Sequence, residues 1–156
     1  MTIRYIGLPT GRVRQLQSGA PGDYGRVPER RISDGGGTPC RHCPAHIAAG
    51  ESYLVLAYRP FAARQPFAET GPIFLHAGPC ERAAEGEALP PIAAGTPDYI
   101  VRGYGSDDRI VSGTGAVTPT VRIAQRAAEL FGRANVGYIH VRSARDNCYP
   151  FRIERG

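Results

Sequence analysis

The stretch Asp98-Tyr99-Ile100-Val101-Arg102-Gly103-Tyr104, rich in aromatic and β-branched residues, reads as a strand. Gly105-Ser106-Asp107-Asp108 follows as a turn, and Arg109-Ile110-Val111 reads as the returning strand. Downstream, Thr118 and Pro119 have the chemistry of an N-cap and first helical residue. The helix they open runs to Phe131, with Val121, Ala124, Ala128 and Phe131 at helical spacing, flanked by Ile123, Ala127 and Leu130. Gly132 is a suitable stop. Residues 136–141 and 149–153 supply two more strands. These elements predict an α+β fold, with an antiparallel sheet of C-terminal strands packed on one main helix, about residues 119–131.

Moving toward the N-terminus, residues 51–58 and 72–76 read as strands, joined by a loop that carries Pro60 and Pro66. A short helix is expected near Pro79, and residues 85–97 read as a Pro/Ala/Gly linker. Residues 2–6 could form a strand. From Leu8 to Thr38 no period of 2 or 3.6 is sustained, which gives a loop-rich arm. A single domain over 1–156 follows: an arm at 1–38, a zinc-knuckle subregion at 39–84 and a sheet-plus-helix core at 98–156. The loop-rich N-terminal half would be pinned to that core by the zinc knuckle.

A chain of 156 residues can bury enough surface for a core without disulfides. No apolar run approaches the roughly 20 residues of a membrane span, and the first residues lack the apolar core of a signal peptide. The expectation is a cytoplasmic protein with no membrane partner. All 19 basic residues are arginine, and the formal net charge is +5. Arginine forks onto carboxylates and phosphates with fixed geometry. The charge is spread along the chain and the aromatics do not interleave with a dense basic stripe, so nucleic acid is a poor fit. The oligomeric state is not readable.

Four cysteines in such a chain point to thiols or metal ligands rather than a disulfide framework. Cys40-Arg41-His42-Cys43 is a Cys-x-x-Cys, and His76-Ala77-Gly78-Pro79-Cys80 adds two soft ligands. Zinc takes four sulfur or nitrogen ligands in a tetrahedron, commonly from a knuckle and a second pair near a helix start. With four protein ligands it would be structural. Ordinary thiols, with His76 at the end of a buried strand, remain the alternative. A redox pair is disfavoured because Pro44 follows Cys43 and no strand leads into a helix there. His42 and His46 are spare ligands, read as surface or turn residues.

The second cluster lies in Tyr138-Ile139-His140-Val141-Arg142, where alternation puts Ile139 and Val141 on one face and the polar residues on the other. Phe151 and Ile153 oppose Arg152 and Glu154 in the same way, and Val101 opposes Arg102. Neighbouring strands could thus gather Arg102, His140, Arg142 and Arg152 on one face able to grip a carboxylate or phosphate. The loop after Arg142 adds Arg145, Asn147 and Cys148. A thiol beside Arg145 and near His140 would be a candidate nucleophile. A half-wet sheet with surface ion pairs to Asp107, Asp108 or Glu154 gives the same pattern without function.

Several motifs occur in one order: Pro39-Cys-Arg-His-Cys43, Gly50-Glu-x-Tyr-Leu-Val-Leu-x-Tyr-Arg-Pro-Phe61, Glu69-Thr-Gly-Pro-Ile-Phe-Leu-His76, Arg102-Gly-Tyr-x-x-x-Asp-Arg-Ile110 and Tyr138-Ile-His-Val-Arg-Ser-Ala-Arg-x-x-Cys148. Together with the opening Ile3-Arg-Tyr-Ile-Gly-Leu-Pro9, they resemble the bacterial domain-of-unknown-function family 1203 (DUF1203). The resemblance brings no assigned activity. It implies that the Cys/Cys/His/Cys set is an accessory of some members, and that a shared site would lie in the 140–148 segment. Two functions are then in view. One is a binding protein that takes a small anionic ligand or protein partner through Arg102, His140, Arg142, Arg145, Asn147 and Arg152. The other is a small enzyme centred on Cys148 and His140.

Overall fold

The computed structural model describes residues 1–43 and 45–156. In chain order its elements are β1 (Ile3–Ile6), α1 (Thr10–Gln17), β2 (Glu29–Ile32), β3 (Ser52–Tyr58), β4 (Gly71–His76), β5 (Asp98–Tyr104), β6 (Ala116–Pro119), α2 (Ile123–Phe131), β7 (Tyr138–Ser143) and β8 (Phe151–Arg155). The fold is α+β, with two antiparallel sheets. One runs β1-β8-β7-β5-β6 and the other β2-β3-β4.

The five-stranded sheet buries its apolar face against α2. Register brings Val101, Val141 and Phe151 into one row and Gly103, Ile139 and Ile153 into the next. Ile123, Ala127, Leu130 and Phe131 fall at i, i+4, i+7 and i+8, so they form the stripe that packs on those rows. At about 25 cal/mol per Å² of apolar surface removed from water, this layer is a principal source of stability. The smaller sheet packs Leu54, Leu56, Tyr58, Ile73 and Leu75 against Val13 and Leu16 of α1.

The loop-rich stretch 1–38 also carries three regular elements, β1, α1 and β2. Helix α1 offers only two buried apolar residues, too few to show a period, and tertiary packing rather than propensity holds it. Strand β2 is exposed along its whole length, so alternation could not reveal it; its ladder with β3 defines it. The returning strand of the first hairpin is β6 rather than 109–111. Ile110 makes only a bridge to Tyr104, while the Thr114 hydroxyl takes the Gly103 N–H and gives its own proton to Val111 O.

Thr118 and Pro119 do not cap the helix. They end β6 on the edge of the sheet, where proline's missing N–H costs no ladder bond. A 3-10 turn at Thr120–Arg122 precedes α2, which places Val121 in solvent at 93% exposure and turns Ala124 and Ala128 outward. No helix forms near Pro79 among the described residues, and a 3-10 turn at Pro91–Gly95 interrupts the linker. No described helix is long and apolar enough to cross a membrane.

If α1 is an integral layer, Leu16→Ala should cost about 2–5 kcal/mol of unfolding free energy, the usual range for a buried leucine. Urea denaturation followed by circular dichroism measures it. A loss below about 0.5 kcal/mol would mean that α1 is a detachable arm.

Candidate functional site

The knuckle Cys40–Cys43 and the end of β4 face each other beneath α1. The ligand atoms of Cys40, Cys43, His76 and Cys80 lie within 4.8 Å of one another. Cys40 Sγ is 3.9 Å from Cys80 Sγ, and Cys43 Sγ is 3.2 Å from His76 Nδ1. A tetrahedron with zinc–sulfur bonds of about 2.3 Å puts its sulfurs about 3.8 Å apart. The set can hold a metal ion.

Backbone geometry explains the gathering. The knuckle closes on itself where Cys40 N donates to Ala45 O, and Arg41 N donates to Phe74 O of β4. Helix α1 then clamps the second ligand pair. Gln17 Nε2 donates to His76 O and Gly78 O at 3.0 and 2.8 Å, and Arg14 Nη2 donates to Cys80 O at 2.6 Å. Pro44, which entered the case against a redox pair, lies outside the described residues.

Burial first, and then the neighbouring Cys40, push the Cys43 and Cys80 thiols up, so without a cation they favour the protonated form. A bound divalent ion inverts that preference, because thiolate is the ligand form.

Three outer residues were not foreseen. His42 is buried, not a surface residue, and its Nδ1 lies 3.0 Å from Cys80 Sγ while Nε2 lies 2.9 Å from the Thr10 hydroxyl. Burial, then Arg14 and Arg82, depress its pKa, so the ring is neutral. Against a Cys80 thiolate, the tautomer that satisfies both contacts carries the proton on Nδ1, toward sulfur, and accepts from Thr10; against a thiol the opposite tautomer does so. The third residue is Glu51, whose carboxylate is 3.4 Å from His76 Nε2. That carboxylate–histidine pairing orients a ligating imidazole in many metal sites. Its sequence signal was the Gly50-Glu51 pair at the start of β3.

The family model for a protein of unknown function, DUF1203, matches residues 37–155. The chain belongs to DUF1203. No curated protein and no solved structure matches it. The DUF1203 match spans both the metal-ligand cluster and the strands that carry the arginine–histidine residues.

In this DUF1203 chain the polar face of β7 is not wet: all six of its residues are buried. Register lines up Arg102, His140 and Arg152 across β5, β7 and β8, the row expected from alternation. What covers the row is the 59–71 segment together with Tyr149. The His140 ring sits 4.9 Å from the rings of Phe61, Tyr104 and Tyr149 and 5.1 Å from Tyr138. It is 2% exposed, and neither ring nitrogen has a hydrogen-bond partner among the described residues. Burial, followed by Arg142, Arg152 and Arg102, drives its pKa well below the ordinary histidine value.

Arg142 is equally buried. Its Nη1 donates to Asn147 O at 2.9 Å, its guanidinium lies over Tyr149, and Nη2 has no partner among the described residues. Burial lowers its pKa, opposed chiefly by Glu69. Arg102 pairs with Glu69, whose two oxygens also accept the Tyr104 hydroxyl at 2.6 and 2.7 Å. Arg152 stacks on Tyr138 at 3.7 Å and pairs with Glu154 at 2.7 Å. Arg145 stands apart in an exposed pair with Asp98, and Asn147 takes part through its backbone oxygen. Of the expected counter-ions only Glu154 pairs with an arginine. Asp107 caps its own turn and Asp108 accepts the Tyr138 hydroxyl.

Cys148 is buried, and the cation beside it is Arg41, not Arg145. Arg41 Nε donates to its Sγ at 3.0 Å. Burial outweighs that arginine and raises the thiol pKa. Glu69, Arg41 and the Phe61 and Tyr149 rings on His140 had no local signal, because loop residues far apart in the chain supply them.

Two measurements follow. His140 binds its proton less readily folded than unfolded, so its contribution to stability is complete above about pH 6.5 and falls by about 1.4 kcal/mol per unit below it. Urea midpoints at pH 7 and pH 5 should therefore drop less for His140→Phe than for wild type; equal drops would show that the ring is solvated. Cys148 should react with iodoacetamide at neutral pH more slowly than a free-thiol model compound, and faster labelling would mark an activated thiolate.

Proposed function

We propose that Cys40, Cys43, His76 and Cys80 hold one zinc ion in a closed structural site. The observation that carries this reading is the convergence of three sulfurs and one imidazole nitrogen within 4.8 Å. Soft sulfur donors with one imidazole suit zinc, and four protein ligands leave no open position for substrate. Cys40 and Cys43 would bind from the knuckle, His76 through Nδ1 from the end of β4, and Cys80 from the following loop. Glu51 orients His76, and His42 donates to the Cys80 sulfur. The ion would tie α1, the knuckle and the small sheet together. Cys148 and Tyr149 pack in the same core as Leu54 and Leu75, which supports reading 1–156 as one domain. Four free thiols suit a reducing, cytoplasmic location.

A second reading concerns ligand binding. The unpartnered Arg142 Nη2 and both His140 nitrogens favour a small anionic ligand at the Arg102, His140, Arg142 and Arg152 row, with Asn147 as its edge. Arg145 contributes least, being held by Asp98. The enzyme reading on Cys148 and His140 draws less support, since the thiol is buried and held protonated.

Elemental mass spectrometry of the native protein should give close to one zinc per chain, with three thiols becoming titratable on chelation. Cys80→Ser should lose the metal and lower the unfolding midpoint. A metal-free native protein with freely titrating thiols would remove the zinc reading.

A further inference from the structure

The buried row already holds a carboxylate, and it comes from the chain itself. Glu69 reaches in from the 59–71 segment to meet Arg102 and the Tyr104 hydroxyl, the same kinds of donor that would receive a carboxylate ligand. We propose that Glu69 is an internal stand-in for a small monocarboxylate ligand, and that the 59–71 segment is a strap displaced when that ligand binds the row. The proposal rests on the anion reading of Arg102, His140 and Arg142 given above.

Three features support it. First, charges do not balance in the row: Arg102, Arg142 and Arg152 face two paired carboxylates, Glu69 and Glu154, and Arg142 has neither as an ion-pair partner. A buried guanidinium without an ion-pair partner is costly, and an added anion relieves that cost. Second, besides Ala68 packed on the Tyr104–Tyr138 cluster, the strap is fixed to the five-stranded sheet and its β5–β6 connection at four points. Phe61 enters the ring cluster, Gln65 Nε2 donates to Asp108 O at 2.7 Å, Phe67 lies under Arg109 and Glu69 binds the row. Between these points Ala62, Ala63, Arg64 and Pro66 are exposed, and no regular element spans the segment. Breaking such a strap forfeits few contacts.

Third, the walls select the ligand's body. Tyr104, Tyr138 and Tyr149 lie outside the strap and flank His140, so a carboxylate attached to an aromatic or aliphatic group fits better than a bare, strongly hydrated phosphate. The carboxylate would take the Arg102 and Tyr104 donors that Glu69 releases, and Arg142 Nη2 would gain an acceptor.

The test is calorimetric titration of benzoate and of inorganic phosphate into wild type, Glu69→Ala, Gln65→Ala and the double variant Glu69→Ala with Arg142→Gln. Gln65→Ala frees the strap without altering any charge or any donor of the row, so it decides the matter if Glu69→Ala fails to fold. Benzoate should bind Glu69→Ala at least tenfold more tightly than wild type and Gln65→Ala severalfold more tightly, with binding lost in the double variant. Amide exchange over 61–69 should accelerate when benzoate saturates wild type. Equal benzoate affinity in wild type, Glu69→Ala and Gln65→Ala, still lost with Arg142→Gln, would overturn the strap and leave the anion reading standing. Tighter binding of phosphate than benzoate would overturn the carboxylate class. No binding by any folded variant would overturn both the strap and the anion reading.

Discussion

Both faces of β7 are covered, and that constraint organises the molecule. Ile139 and Val141 pack under α2, while Tyr138, His140 and Arg142 point into a second layer supplied by segment 59–71 and Tyr149. A central strand with two dry faces is ordinary in parallel sheets, where its sequence is apolar throughout. Here the sequence alternates, so one dry face is polar. Burial of a cation and an imidazole there is compensated only in part, by stacking on aromatic rings and by the carboxylates of Glu69 and Glu154.

The metal-ligand cluster and the polar row are joined through residues 147–149. Asn147 O accepts from Arg142, Cys148 Sγ accepts from Arg41 of the knuckle, and Tyr149 meets His140 edge-on and packs at a tilt against Tyr58. The knuckle thus holds the far side of the row through Arg41 and through the core that Cys40 shares with Cys148 and Tyr149. Metal binding, by fixing the knuckle, would fix Arg41 and with it the loop that positions Arg142.

How much of this was legible in the sequence follows from how local each signal is. Alternation in β5, β7 and β8 gave the correct facing of Arg102, His140 and Arg152, because a strand's period of 2 depends on backbone geometry alone. Cysteine and histidine spacing picked out the four side chains that converge, since few residue types can ligate a metal and four occurred in order. The cover over β7 was not legible: Phe61, Glu69 and Tyr149 are contributed by loops, and a buried polar face has the same alternation as a wet one. Helix α1 stayed hidden because Val13 and Leu16 alone define no period, and β2 because every residue in it is exposed. The hairpin partner was misplaced because Ile110 and Val111 are β-formers, yet Thr114 takes the Gly103 N–H that a ladder at 109–111 would have used. Tertiary competition decided that case over propensity.

Strand β4 carries the consequence furthest. It begins at Gly71, where the strap ends, and finishes at His76, one of the four side chains that could hold a metal ion. A Cβ at Gly71 would collide with Asn147 O and crowd Arg142 Nη1, so β4 can start only with the one residue that lacks a side chain. The small sheet therefore meets the loop after β7 in van der Waals contact at one end, and the metal cluster at the other. Because β4 pairs with β3 over six residues, it behaves as a stiff bar between the two sites. A displacement of the strap at Gly71 has to be absorbed before β4, in residues 59–70, since the far end is anchored by His76. The irregular, proline-interrupted loop that the sequence marks with Pro60 and Pro66 is where the fold can yield without disturbing the metal ligands.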